Sequence, residues 1–249
     1  MHDKLKHLHI GVPNYRGWIE SPHHVSMITL FHYLGKKGVD VSFICPINTV
    51  LSTARQCCVN AACEDPACEY ILFIDDDMVF TPEHVDALLT ETVENDLDFC
   101  SALAFSNSIP TKPCVFGLNP DLVEGGDTPW WYITTNYPKQ QRFEVLASGF
   151  GMVCISTRML KKMREGIPNY QHFAYNHALC PNEDVSFCLN ARKRGFKLYC
   201  DSRVSIGHIS KDRPIICEDV YESQGNAIEY NLSMERMGFT GEGVKLERV

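Results

Sequence analysis

Apolar and polar positions along the first hundred residues fall into blocks whose repeat switches between two and about 3.6, the periods of strand and helix. Residues 8–12 form a short apolar run that ends at Pro13-Asn14, a strand feeding a loop. Ser21-Pro22 reads as an N-cap followed by proline at the first helical position. Met27, Leu30, Phe31 and Leu34 then recur at helical spacing until Gly35 or Gly38 closes the helix. Residues 39–44 predict a second strand, 51–63 a second helix and 70–74 a third strand, apolar throughout. Thr81-Pro82-Glu83 opens another helix with Val85, Leu88, Leu89 and Val93 on one face, and 99–104 gives a fourth strand. Strand and helix in alternation predict an α/β fold, a parallel sheet wrapped by helices.

From 105 to 148 the pattern loosens into a stretch rich in Pro, Gly and Asn, within which 130–134 and 143–146 predict the two strands of a hairpin. A strand at 152–155 follows Ser148-Gly149-Phe150-Gly151, and a short helix spans 157–164. A further helix covers 182–194, with Gly195 at its C-terminal end, before a strand at 197–199. Beyond 212 the sequence predicts a helix over 220–237 and a polar tail. No linker divides the chain, so 1–211 is expected to be one domain and 212–249 its C-terminal extension.

The chain has 249 residues, 45% of them hydrophobic and 22% charged, enough for a sizeable core. Its net charge of −8 argues against non-specific nucleic-acid binding. Lys161-Lys162 and Arg192-Lys193-Arg194 fall near predicted helix C-termini, where cations complement the dipole. Residues 1–9 lack the apolar core of a signal peptide, and no apolar run approaches the roughly 20 residues that cross a bilayer. The expectation is a cytoplasmic protein (host cytoplasm if viral) whose twelve cysteines are free thiols. Cys57, Cys58, Cys63 and Cys68 lack the paired short spacing of a structural zinc site.

Three places carry candidate chemistry. Asp75, Asp76 and Asp77 follow a buried strand, at the sheet end where ligands of such folds gather. Their mutual repulsion is relieved by a divalent cation, and oxygen ligands suit Mg²⁺ or Mn²⁺; the plainer alternative is a solvated acidic turn. Asn182-Glu183-Asp184 supplies either a helix cap with acids in its first turn or a general base. His208, in Gly207-His208-Ile209, is either structural or the imidazole that completes an oxygen-rich metal site.

In this order and separation, these elements resemble the family 2-like glycosyltransferases of the GT-A fold, particularly short stand-alone bacterial and viral members. The correspondence runs from about Ile10 to Ile209. Asp75-Asp76-Asp77 is similar to the family's DxD element. Glu183-Asp184-Val185-Ser186-Phe187-Cys188, followed by Arg192 and Gly195, is similar to its ED helix, and Gly207-His208 to its terminal metal-binding histidine. Ser148-Gly149-Phe150-Gly151 is similar to its acceptor-side segment. Ala54-Arg55 resembles an Ala-Arg-Asn element in which Gln56 replaces the asparagine.

The resemblance implies a single GT-A, Rossmann-like domain with a mixed central sheet. It implies that Pro13, Asn14, Tyr15 and Arg55 face the nucleotide and that Asp75 lies near the ribose or the metal. Asp77 and His208 would hold Mn²⁺ or Mg²⁺ on the donor diphosphate, with Asp184 as general base. Asp76, Glu183, Gly149 and Gly151 join the substrate-binding set, and Trp130 and Trp131 offer either a sugar platform or hairpin core. The implied donor is a UDP-sugar, with a GDP-sugar as second choice. The acceptor is a hydroxyl of a glycan, a protein or a modified nucleobase, and direct attack implies inversion. Two rival readings stand beside it: a metal-dependent phosphotransferase or phosphatase, and a non-catalytic nucleotide-sugar binder. A nucleotidyltransferase would want a Gly-x-Gly-x-x-x-Lys loop that residues 11–17 do not supply.

Overall fold

A computed structural model describes residues 5–118, 131–174, 182–211 and 215–224. In chain order the elements are β1 (His7–Gly11), α1 (Ser21–Lys36), β2 (Asp40–Ile44), α2 (Leu51–Glu64), β3 (Tyr70–Ile74), β4 (Met78–Val79), α3 (Pro82–Glu94), β5 (Phe99–Leu103) and β6 (Val115–Leu118). After them come β7 (Trp131–Ile133), β8 (Arg142–Val145), β9 (Ala147–Ser148), β10 (Met152–Ser156), α4 (Thr157–Arg164), α5 (Glu183–Lys193), β11 (Leu198–Ser205), β12 (Gly207–His208) and α6 (Glu218–Ser223).

A mixed seven-stranded sheet, ordered β2-β1-β3-β10-β5-β11-β8, forms the centre. β1 runs parallel to β2 and β3, whereas β10 is antiparallel to both β3 and β5. All five residues of β3 are buried, as its unbroken apolar run requires of a strand covered on both faces. Its side chains alternate between two cores: Ile71 and Phe73 pack on one side with residues of α2, α4 and α5, Leu72 and Ile74 on the other with residues of α1 and α3. Thr81 caps α3 reciprocally with His84, and Gly195, at φ +86°, takes the left-handed conformation just after α5. The described cysteines are free, and among the described residues no helix is long and apolar enough to cross a membrane.

The hairpin expected from 130–134 and 143–146 does not form. β7 pairs instead with β6, a strand the Pro- and Gly-rich pattern concealed, while β8 joins the large sheet beside β11. The eight-residue β11, far longer than the expected 197–199, supplies that partner, and Ser202 Oγ fixes the approach by contacting the carbonyls of Pro138 (2.7 Å) and Gln141 (2.9 Å). Of the helix expected over 220–237, the described part is α6; the remainder lies outside the described residues, as does Trp130.

Candidate active site

The acidic triplet leaves the carboxyl end of β3 in a tight turn. Asp75 donates its backbone N–H to Gly151 O (3.0 Å), and Met78 N–H returns to Asp75 O (3.2 Å). A Cβ on Gly151 would stand 3.0 Å from Met78 Sδ and 3.2 Å from Ala104 Cβ, so a bare backbone lets β10 pass beneath this turn. The chain next enters β4, which pairs antiparallel with β12, His208 opposite Met78. Ile209 N–H also donates to Asp77 O (2.8 Å). Backbone ladders thus hold the triplet and His208, 131 positions apart, edge to edge.

The three carboxylates fan out to different partners. Both Asp75 oxygens accept from Arg55 Nη2, at 2.8 and 3.0 Å. Arg55 comes from α2, is buried, donates through Nη1 to Glu183 at the start of α5, and lies over the rings of Phe150 (5.1 Å) and Phe173 (6.0 Å). Asp76 accepts from Arg16 Nη2 (3.1 Å), and its other oxygen is buried without a hydrogen-bond partner among the described residues. Asp77 Oδ2 stands 3.7 Å from Arg16 Nη2 and 3.3 Å from His208 Nε2.

His208 donates Nδ1–H to Phe105 O (2.8 Å), which presents its Nε2 lone pair to the Asp77 carboxylate. Two lone-pair donors face each other stably only with a cation between them, a proton or a metal. Without metal, the proton is the cation. Burial opposes the charged imidazole, but the hydrogen bond and charge of Asp77 raise the His208 pKa. Burial likewise opposes the Asp77 carboxylate, and His208 and Arg16 outweigh it to pull that pKa down. Carboxylate oxygens joined by one imidazole fit Mn²⁺ or Mg²⁺, and the charge balance agrees. Five carboxylates, Asp75, Asp76, Asp77, Glu183 and Asp184, interact with two guanidiniums, those of Arg16 and Arg55.

Asp184 occupies the first turn of α5, half-buried, its Oδ1 accepting from Val185 N–H (2.7 Å). Burial, then the charges of Glu183 and Asp75, outweigh Arg55 and the Val185 N–H to push its pKa up to about 7. Burial similarly lifts Asp75 to about 6 despite Arg55, with Asp77 and Glu183 adding to the rise. Gly149 lies beside Asp184: a Cβ there would sit 3.8 Å from Asp184 Oδ2 and 3.0 Å from Cys114 Cβ.

In the loop after β1, Pro13 and Asn14 are buried and Tyr15 is exposed. The Asn14 side chain accepts from Gly17 N–H (2.7 Å) and donates to Trp18 O (3.0 Å), so its amide is used in shaping the loop. That loop aims Arg16 at the acids, its guanidinium 5.5 Å from the Tyr15 ring and 4.7 Å from the Trp18 ring. Arg16 also lines a cavity of about 290 Å³ with Asp77, Asn107, Ile209, Ser210 and Lys211. Sequence reading missed Arg16, Trp18 and Lys211. The available signal was a lone arginine directly after the loop residues assigned to the nucleotide. Trp131 lies in β7, in the small sheet with β6 and β9.

Solved structures share this architecture. A197 from STIV aligns with a TM-score of 0.50 at 16% identity, over 86% of this chain and 91% of that one. GalNAc-T7, in a structure with UDP, GalNAc and Mn²⁺, aligns with a TM-score of 0.53 at 13% identity, over 84% of this chain and 45% of that chain. This chain therefore corresponds to less than half of that protein. The likeness defines the fold: a single mixed α/β domain of the GT-A, Rossmann-like type. No protein family profile matches the sequence, and no curated protein matches it.

Proposed function

We propose that the chain is a cation-dependent, family 2-like glycosyltransferase that moves a sugar from a nucleoside-diphosphate donor to an acceptor hydroxyl with inversion. What supports this reading is the 3.3 Å approach of His208 Nε2 to Asp77, two metal-type donors face to face, on the same acidic turn that meets Arg55 and the start of α5. UDP is the favoured nucleotide, since GalNAc-T7 was solved with UDP on the same fold, and GDP is the second choice.

In this mechanism Asp77 and His208 would hold Mn²⁺ or Mg²⁺, and Asp75, gripped by Arg55 on the same turn, would add its charge to the site. When bound, the cation offsets charge building on the leaving diphosphate, an interaction stronger in the transition state than before it. Arg16 adds a fixed positive charge beside the same phosphates. Arg55 grips Asp75 and Glu183 together, and so fixes the turn of β3 against the first turn of α5. Asp184 takes the proton from the acceptor hydroxyl as its oxygen attacks the anomeric carbon; a carboxyl lifted to about 7 is a stronger base than an ordinary aspartate. Tyr15, exposed in the loop that Pro13 and Asn14 shape, faces the nucleoside. Gly149 leaves room for the acceptor beside Asp184, and segments 105–148 and 212–249 select the acceptor, a glycan, protein or modified nucleobase.

A thermal-shift screen of nucleoside diphosphates with and without Mn²⁺ tests the reading, because a ligand of the native state raises the melting temperature. Mn²⁺-dependent stabilisation by UDP, followed by UDP release from a UDP-sugar, is the expected result. Absence of any Mn²⁺-linked nucleotide effect, or phosphate release from phosphoesters without sugar transfer, overturns it.

A further inference from the structure

We propose a second metal site, for a zinc-type cation, at the amino end of β1, held by His7, His9 and Asp65. His7 and His9 are two apart on one strand, so the pleat sends both rings to one face. There they meet Asp65, the residue that ends α2. The two Nε2 atoms converge on the same carboxylate oxygen, Asp65 Oδ2, at 3.0 Å from His7 and 2.7 Å from His9. All three ligand atoms lie within 4.8 Å of one another. Tetrahedral zinc, with bonds of about 2.0–2.2 Å, spaces its ligands about 3.3–3.5 Å apart, so each imidazole parts from the Asp65 oxygen by less than 1 Å to admit the ion.

The surroundings favour metal over a simple hydrogen-bonded cluster. His7 Nδ1 lies 3.0 Å from Asp40 Oδ2, on the strand residue that the parallel register sets directly beside it. A neutral imidazole that donates Nδ1–H to Asp40 turns an Nε2 lone pair on Asp65, the carboxylate–histidine–metal arrangement. His9 Nδ1 has no hydrogen-bond partner among the described residues, so Asp65 is the side-chain partner that orients this ring. Asp65 keeps its outer oxygen on the Ala67 N–H (2.8 Å), which steers Oδ2 inward. His9 is buried and His7 and Asp65 are half-buried, which partly shields an ion while leaving it a route of entry. Two imidazoles and one carboxylate select zinc over Mg²⁺ or Mn²⁺, with a fourth position for water. The site lies at the opposite end of β1 from the loop that carries Arg16. Its role is to clamp β1 to the C-terminal end of α2, the helix whose first half bears Arg55.

The test uses the untagged full chain carrying Asp77→Ala and His208→Ala, stripped with chelator and titrated with zinc or cobalt alone. The expected result is one equivalent of zinc, the intense visible absorption of tetrahedral cobalt, and a higher melting temperature on metal addition. Adding His9→Gln or Asp65→Asn abolishes all three. Asp40→Asn, which touches only the partner of His7, weakens zinc binding about 10–100-fold. No bound zinc, an octahedral cobalt spectrum, or Asp65→Asn binding zinc like its parent overturns the proposal. The cobalt spectrum decides even if the His9 variant fails to fold.

Discussion

On one side of the acidic turn, Asp75 is held by a buried guanidinium sleeved in Phe150 and Phe173; on the other, Asp77 faces an imidazole and a cavity open to solvent. Both Asp75 oxygens are taken by a buried guanidinium, which also answers Glu183 and Asp184. The Asp77 side is left with donors that want a cation. The difference separates framework from the proposed working surface: the first fixes the turn on which the second is to exchange ligands. Removing the framework should therefore have the larger effect. Arg55→Ala strands Asp75 and Glu183 without their counter-charge, and breaking such a buried network costs about 3–5 kcal/mol. Urea denaturation should show that loss together with loss of turnover. Arg55→Lys should regain part of the stability but not the two-sided grip, since an ammonium lacks the planar fork. If Arg55→Ala unfolds like the parent protein, the Arg55 side is not the framework.

Asp184 stands next to the Arg55 side, but the proposed mechanism has it act on the other. Asp184→Asn should lower turnover by about 10²–10⁴-fold while Mn²⁺-linked nucleotide binding persists. Near-normal turnover removes Asp184 from the mechanism. Its folded-state pKa is raised, to about 7 from an ordinary 3.8, so the native protein binds the extra proton. Stability of the metal-free protein then falls as pH rises between those values, because the native state gives up a proton there that the unfolded state has already lost. The asparagine variant escapes that loss. It should melt higher than the parent at pH 8, with the gap closing toward pH 4; a constant gap would contradict the raised pKa. For the same reason kcat/KM should rise with pH through about 7 at low Mn²⁺, with a midpoint that moves down as Mn²⁺ saturates.

The open side is broken at Asp77. Asp77→Ala should abolish the Mn²⁺-dependent part of nucleotide binding in calorimetry and leave denaturant stability within about 1 kcal/mol, since the half-buried carboxylate borders a cavity that water can fill in its place. A large stability loss with intact metal-linked binding would exchange the roles of the two sides.

How much of this contrast the sequence disclosed depends on where the signal lies. The alternation of β1 to β5 with α1 to α3 was legible because amphipathic periods there run over whole elements, and the five apolar residues of β3 announced a strand covered on both faces. The acids of the turn were visible for the same reason: three charges behind Ile74 break a pattern. The ladder between β4 and β12 was not legible, because two-residue strands have no period, and it is this ladder that sets His208 against Asp77. The partners of β7 and β8 were misjudged because strand pairing between residues far apart leaves no mark in a local window. The Arg55 grip on Glu183 joins residues 128 positions apart and is invisible before folding.

The smallest expected effect falls on Arg16, which touches both Asp76 and Asp77 and belongs to neither side completely. Its guanidinium is half-buried near Tyr15 and Trp18 and pairs with the buried Asp76, so the small effect expected is the one on ligand binding, where Arg16 is one charge among several. Arg16 also neutralises acids that would otherwise bind a cation more strongly. Arg16→Ala should thus have opposed consequences: tighter binding of Mn²⁺ alone, by a few fold, and weaker binding of the nucleoside diphosphate once Mn²⁺ is present. Calorimetry of each ligand separately reads the two signs. If the variant weakens both, Arg16 serves to orient the acids rather than to meet phosphate, and the loop after β1 belongs with Arg55 to the framework.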